Sequence, residues 1–195
     1  YYAELGQNEA LFGKYKALAA GAGFTALNAA QKKIVENELR DFRLGGAELP
    51  AEQKTRFMAI QEELSGLSAK FEENLLDATN GFALVVEDAA ELAGVPDDEL
   101  TAMRQAAESD GKTGWKITLH MPSYLPVMQY ADNRALRETL YRAYVTRASE
   151  FGKAELDNTP LIAHILKLRR EAAELLGFRS YAEVSLASKM ADTPA

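Results

Sequence analysis

Apolar residues recur along most of this chain at the alternating three- and four-residue spacing that gathers them on one face of an α-helix. The longest run spans Glu52 to Ala78. There Phe57, Ile60, Leu64, Leu67, Phe71, Leu75 and Ala78 trace one stripe, and Glu62, Glu63, Lys70, Glu72 and Glu73 lie between them as a solvated face. Pro50 just ahead of it and Glu52 in the first turn suit a helix start: Pro lacks an N–H that would be unpaired there, and an acid favours the positive end of the helix dipole. Upstream, the pattern predicts a helix over Glu4 to Ala20, ended by Gly21-Ala22-Gly23. A further helix is predicted over Thr25 to Leu44, with Leu27, Ala30, Ile34, Leu39 and Phe42 apolar and Gly45-Gly46 as its stop. The short turn before Glu52 predicts that this helix and the next pack antiparallel.

The period changes at Gly81. Phe82 to Glu87 and Trp115 to His120 are rich in β-formers, and the second alternates, with Trp115, Ile117 and Leu119 on one face and Lys116, Thr118 and His120 on the other. A lone strand pair is marginal in water, so its Trp115 face is expected to lean on helices. Between the strands, Pro96-Asp97-Asp98-Glu99 opens a helix running to about Ser109, followed by a turn at Asp110-Gly111. Met121-Pro122 turns back to helix, and Arg134 to Ser149 carries Leu136, Leu140, Tyr141, Tyr144 and Val145. Thr159-Pro160 starts a helix with Leu161, Ile165, Leu168, Ala172 and Leu175 on one face and Gly177 as its stop, and Ser180 to Glu183 is a capping box. The expected fold is therefore mainly α, long antiparallel helices in a bundle-like array with one two-stranded β element at about 82–87 and 115–120. Residues 1–195 read as one helical region, with a subdivision into 1–80, 81–121 and 122–195. No repeat of solenoid period is present.

Composition narrows the function classes. Apolar residues make up 47% and charged residues 26% of the 195, which excludes a disordered chain. Twenty-nine acids against 22 bases give a net charge of −7, the wrong sign for a phosphate-binding surface, so no nucleic acid partner is expected. No apolar window reaches membrane-spanning length and no basic stretch leads into an apolar run, so neither a membrane partner nor secretion is expected. Cysteine is absent. The expected location is the cytoplasm.

Catalytic groups are scarce. The only histidines are His120 and His164. A zinc-peptidase helix needs two histidines four residues apart with a Glu beside the first, and the position four after His164 is Leu168. Glu171 lies on nearly the same helical face as His164 but about 10.5 Å along the axis, too far for shared ligation. A packing or hydrogen-bonding role is the plainer reading of His164, and an exposed or hinge-facing imidazole that of His120. Gly21-Ala22-Gly23 lacks the Lys-Ser or Lys-Thr pair of a phosphate loop and reads as a helix stop. Glu62-Glu63, Glu72-Glu73 and Asp97-Asp98 are adjacent in sequence and do not face one another. Tyr124, Tyr130, Tyr141, Tyr144 and Tyr181 could line a peptide groove or pack with their hydroxyls at the rim. Arg137, Arg142 and Arg147 could hold a peptide carboxylate or pair with neighbouring acids. No catalytic, cofactor-binding or metal-binding residue is assigned.

Longer motifs carry a resemblance. Met121-Pro122-Ser123-Tyr124-Leu125-Pro126-Val127-Met128, Asp132-Asn133-Arg134-Ala135-Leu136-Arg137 and Tyr141 to Ser149 resemble the thimet oligopeptidase family of zinc metallopeptidases. So do Asp157-Asn158-Thr159, Leu168-Arg169-Arg170-Glu171, Leu175-Leu176-Gly177-Phe178 and Lys189-Met190-Ala191, with Leu39 to Phe42 and Leu76 to Thr79 further upstream. The resemblance implies a mostly helical peptidase that cleaves short peptides in a deep channel between two halves. It implies that this chain is the N-terminal, non-catalytic part, one wall of that channel. The family's H-E-x-x-H helix and third carboxylate ligand lie beyond the matched region, so none of its zinc ligands, and neither its general base nor its transition-state-stabilising residues, carries over to a position here. The implied cofactor is zinc in the full-length parent, with none bound by this fragment, and the implied partners are short peptides and the C-terminal catalytic half. A start at Tyr1 rather than Met, and a helix-start signal at Asp192-Thr193-Pro194 with only Ala195 after it, fit an excerpt. The alternatives are a stand-alone helical interaction module and, more remotely, a small enzyme using His120 with nearby acids.

Overall fold

A computed structural model of the chain describes residues 5–191, 193 and 194. The expectations that touch Tyr1, Glu4, Asp192 and Ala195 lie outside the described residues. The fold is mainly helical with one two-stranded antiparallel sheet, as the sequence pattern predicts. Two compact units divide the chain, one formed by residues 1–68 with 163–195 and the other by 69–162.

In the first unit, helix α1 (Glu9–Ala20) and helix α2 (Ala29–Leu44) form a hairpin around Phe12, Phe42 and Ala47. Phe42 meets both Phe12 and Tyr15, at ring-centroid separations of 5.4 and 5.8 Å. α2 begins later than its apolar pattern suggests. Asn28 and Gln31 form a reciprocal capping box at its start, and Ala22–Ala26 ahead of it is a short 3-10 turn. The two glycines that end α2 serve different needs. Gly46 takes φ 85°, and the N–H of Ala47 reaches back to the Phe42 carbonyl, which is a Schellman closure. Gly45 has an ordinary φ, but a Cβ there would sit 2.9 Å from the Cα of Gly6.

Helix α3 (Ala51–Asn80) carries the long apolar stripe, and within this unit its partner is the later part of helix α7 (Thr159–Leu175). Phe57 and Ile60 cluster with Leu168 and Ala172. Polar pairs flank that seam: Arg56 binds Glu171 bidentately at 2.5 and 2.6 Å, and Glu63 meets His164 at 2.9 Å. Rising numbers on α3 match falling numbers on α7, so these segments run antiparallel. Gly177, at φ 81°, and Ser180, whose side chain caps helix α8 (Tyr181–Leu186), complete the unit.

In the second unit, strands β1 (Leu84–Val86) and β2 (Trp115–Ile117) pair with Val86 opposite Trp115. Both are shorter than the β-forming stretches around them. At the end of β2 the Thr118 N–H goes to the Ser123 hydroxyl at 2.9 Å, and the His120 carbonyl opens helix α5 (Met121–Tyr130), so both groups are diverted from the ladder. The face carrying Trp115, Ile117 and Leu119 is buried, as expected. It packs on Met103 of helix α4 (Asp97–Ser109), on Tyr124 and Val127 of α5, and on Leu136 and Leu140 of helix α6 (Arg134–Val145). Ile117, Val127 and Leu140 have no exposed surface, and burying each stabilises the unit by about 1.5–3 kcal/mol. α6 stops at Val145, short of Ser149: Ala148 takes φ 48°, a left-handed conformation that a helix cannot include.

Candidate functional site

The histidines occupy unrelated places. His164, on α7, is about half exposed and its Nε2 faces the Glu63 carboxylate. Glu171, two turns on, is committed to Arg56, whose hydrogen bonds hold its carboxyl below the usual range. His120 is exposed at the N-cap of α5, beyond the end of β2 rather than on its face. Among the described residues no group of three or more His, Cys, Asp or Glu side chains could hold a metal ion. One imidazole beside one carboxylate is too few donors for tetrahedral zinc, so these residues do not fit that ion.

The tyrosines and arginines are more informative. Tyr124 is buried and stacks on Tyr144, with ring centroids 4.4 Å apart. Burial first, then the neighbouring Tyr144 and Tyr141, push its hydroxyl pKa up. Tyr130 and Tyr141 are exposed, and Tyr181 lies under the Arg169 guanidinium in the other unit. Arg137 donates to the Ala131 carbonyl, and Arg142 pairs with Glu138 one turn back. Arg147 differs from both. It donates to the Tyr144 carbonyl at 2.8 Å and to the Thr79 hydroxyl at 2.9 Å, and its guanidinium lies 3.7 Å from the Tyr144 ring centroid. Among the described residues it has no carboxylate partner.

Arg147 lines a cavity of about 250 Å³ within the second unit. The C-terminal end of α3 supplies Asp77 and Ala78, the turn after it supplies Gly81, the strand flanks supply Phe82 and Leu119, α6 supplies Ala143, and the segment after it supplies Thr146, Ala148, Phe151, Lys153 and Leu156. This last segment is anchored. The Asn158 main-chain N–H donates to the Ala148 carbonyl, its side chain donates to the Phe71 carbonyl, and its Oδ1 accepts from Asn74, both side chains being buried. Lys153 was not singled out in the sequence. Its local pattern, Gly-Lys-Ala, carries no signal, because the cavity's lining comes from three separate stretches, 77–82, 119 and 143–156.

The comparisons with known proteins agree with the motifs. The family model described as Neurolysin/Thimet oligopeptidase, N-terminal domain, matches residues 1–54, and that described as Peptidase family M3 matches residues 127–195. The chain belongs to peptidase family M3. Among curated relatives it is 50% identical to Oligopeptidase A of Haemophilus influenzae, over 100% of this chain and 29% of that protein. It is 46% identical to Probable cytosolic oligopeptidase A of Arabidopsis thaliana, over 96% of this chain and 27% of that protein. With Dipeptidyl carboxypeptidase of Salmonella typhimurium it shares 34% identity, again over 96% of this chain and 27% of that protein. The chain thus spans less than a third of the length of these relatives.

Proposed function

We infer that this chain is a non-catalytic part of a zinc-dependent oligopeptidase that hydrolyses short peptides in the cytoplasm, and that it forms one wall of the substrate channel. The observation that carries this reading is the 50% identity to an Oligopeptidase A along the whole chain. The donor inventory supports the non-catalytic assignment: the sequence has no H-E-x-x-H, and its two histidines are 44 positions apart. Zinc, and the activation of water that zinc supplies when bound, would belong to the rest of the parent protein.

A helical wall contributes to such an enzyme by exclusion. Rigid helices opposite the chemistry admit extended short peptides, turn away folded proteins and limit water around the reacting bond. The apolar seams described above, Phe57 and Ile60 on Leu168 in one unit and Ile117 on Leu140 in the other, supply that rigidity within each unit. The test is direct. The purified 195-residue chain, assayed for bound zinc by mass spectrometry and for cleavage of fluorogenic short peptides, is expected to hold no stoichiometric zinc and to cleave nothing. Metal-dependent hydrolysis by this chain alone would overturn the assignment.

A further inference from the structure

The cavity in the second unit has a composition that the peptidase reading does not use. Phe82, Leu119, Ala143, Ala148 and Leu156 give it apolar walls, yet two cations stand on it with no ion-pair partner among the described residues. The Arg147 guanidinium is held in place by its hydrogen bonds to Thr79 and Tyr144 and by stacking on the Tyr144 ring, and it forms no ion pair with a carboxylate among the described residues. A guanidinium fixed before a ligand arrives loses little freedom on binding, and its planar donors match a carboxylate. The second cation is Lys153. Its Nζ reaches over the end of α3, 3.8 Å from where a Cβ on Gly81 would sit, and has no hydrogen-bond or ion-pair partner among the described residues. The segment bearing both is pinned at Asn158, so the cavity is formed without a ligand. At about 250 Å³ it is smaller than a drug-sized pocket and suits one apolar side chain.

We propose that this cavity binds the carboxylate end of an apolar amino acid, with Arg147 and Lys153 holding the carboxylate and the apolar walls holding the side chain. Two sources share this chemistry, a free amino acid and the C-terminus of a short peptide. Asp77, which also lines the cavity and has no cationic partner among the described residues, separates them, since only the free amino acid brings an ammonium group to it.

The experiment is an amide-resonance titration of the ¹⁵N-labelled 195-residue chain with three probes: N-acetyl-L-leucine, L-leucine and L-leucinamide. The amides of Gly81, Gly152 and Lys153 are expected to shift saturably with the two carboxylates and not with leucinamide. Tighter binding of leucine than of its N-acetyl form assigns the site to free amino acids, and the reverse or equality assigns it to a peptide C-terminus. Lys153→Met, at an exposed position that leaves the fold intact, is expected to weaken N-acetyl-L-leucine about two- to fivefold, the scale of an exposed ion pair. Arg147→Gln is expected to weaken it at least about tenfold, with an unchanged Trp115 indole resonance showing that the core persists. No saturable shift with either carboxylate, equal shifts with leucinamide, or unchanged affinity in Lys153→Met would each overturn the proposal.

Discussion

Replacing Asn158 by alanine tests what pins the segment after α6. Asn158 is 2% exposed and Asn74 3% exposed, so neither has water to fall back on. The substitution removes the oxygen that accepts from Asn74 Nδ2 at 2.9 Å and the amide that donates to the Phe71 carbonyl at 3.0 Å. The bond from the Asn158 main chain to the Ala148 carbonyl survives, because alanine keeps its N–H. Stranding a buried amide donor costs about 1–3 kcal/mol, and the Phe71 carbonyl, which keeps its place in the helix ladder, adds about 1 kcal/mol, so a loss of about 2–4 kcal/mol is expected. Asn74→Ala should cost less, about 1–2 kcal/mol, because Asn74 Oδ1 has no partner to lose. The double variant should fall short of the sum by about 1–2 kcal/mol, as directly bonded neighbours do. Urea unfolding followed by far-ultraviolet circular dichroism measures all three. A loss below about 0.5 kcal/mol for Asn158→Ala, or strict additivity of the pair, would refute the idea that this contact anchors the segment.

Two further outcomes follow from backbone and charge. Gly94 has φ 90°, and a Cβ there would run into the Tyr130 carbonyl oxygen, so Gly94→Ala should lower the thermal midpoint far more than Gly111→Ala. Gly111 also has positive φ, 68°, but open space around it, and should cost only the conformational penalty of about 1–2 kcal/mol; equal losses at the two positions would contradict the clash. The Glu171 carboxyl is held below its ordinary range chiefly by the hydrogen bond from Arg56, so their pairing stabilises above the unfolded-state pKa and is lost as pH falls through the lowered folded-state value. The midpoint gap between the parent chain and Arg56→Ala should therefore close on acidification, and a gap that widens would reverse that sign.

Much of the fold was legible because it is written in local periodicity. The stripe from Phe57 to Ala78 and the alternation around Trp115 each announce an element and the face it buries. Partners were less legible. That Phe57 and Ile60 meet Leu168 and Ala172 is a pairing across more than a hundred residues, and nothing in either stripe names the other. The apolar pattern also overran the true ends of α2 and β2, because hydrogen bonds accepted by the Asn28 and Ser123 side chains set those boundaries and hydropathy does not register them. The cavity was the least visible part. Arg137, Arg142 and Arg147 look alike in sequence, and only the folded contacts of Arg147 with Thr79 and the Tyr144 ring, at the cavity, distinguish it.

The first unit is assembled from both ends of the chain, and that has a consequence for synthesis. The α1–α2 hairpin can close once Ala47 has emerged, since the cluster of Phe12, Phe42 and Ala47 draws on nothing later in the chain. Phe57 and Ile60 must wait for Leu168 and Ala172. At about 5–20 residues per second, roughly 5–20 seconds pass between the emergence of Ile60 and that of Leu168. Through that interval the nascent chain carries a greasy, half-finished seam, and the ribosome rather than the finished protein is where this sequence is most in need of a chaperone.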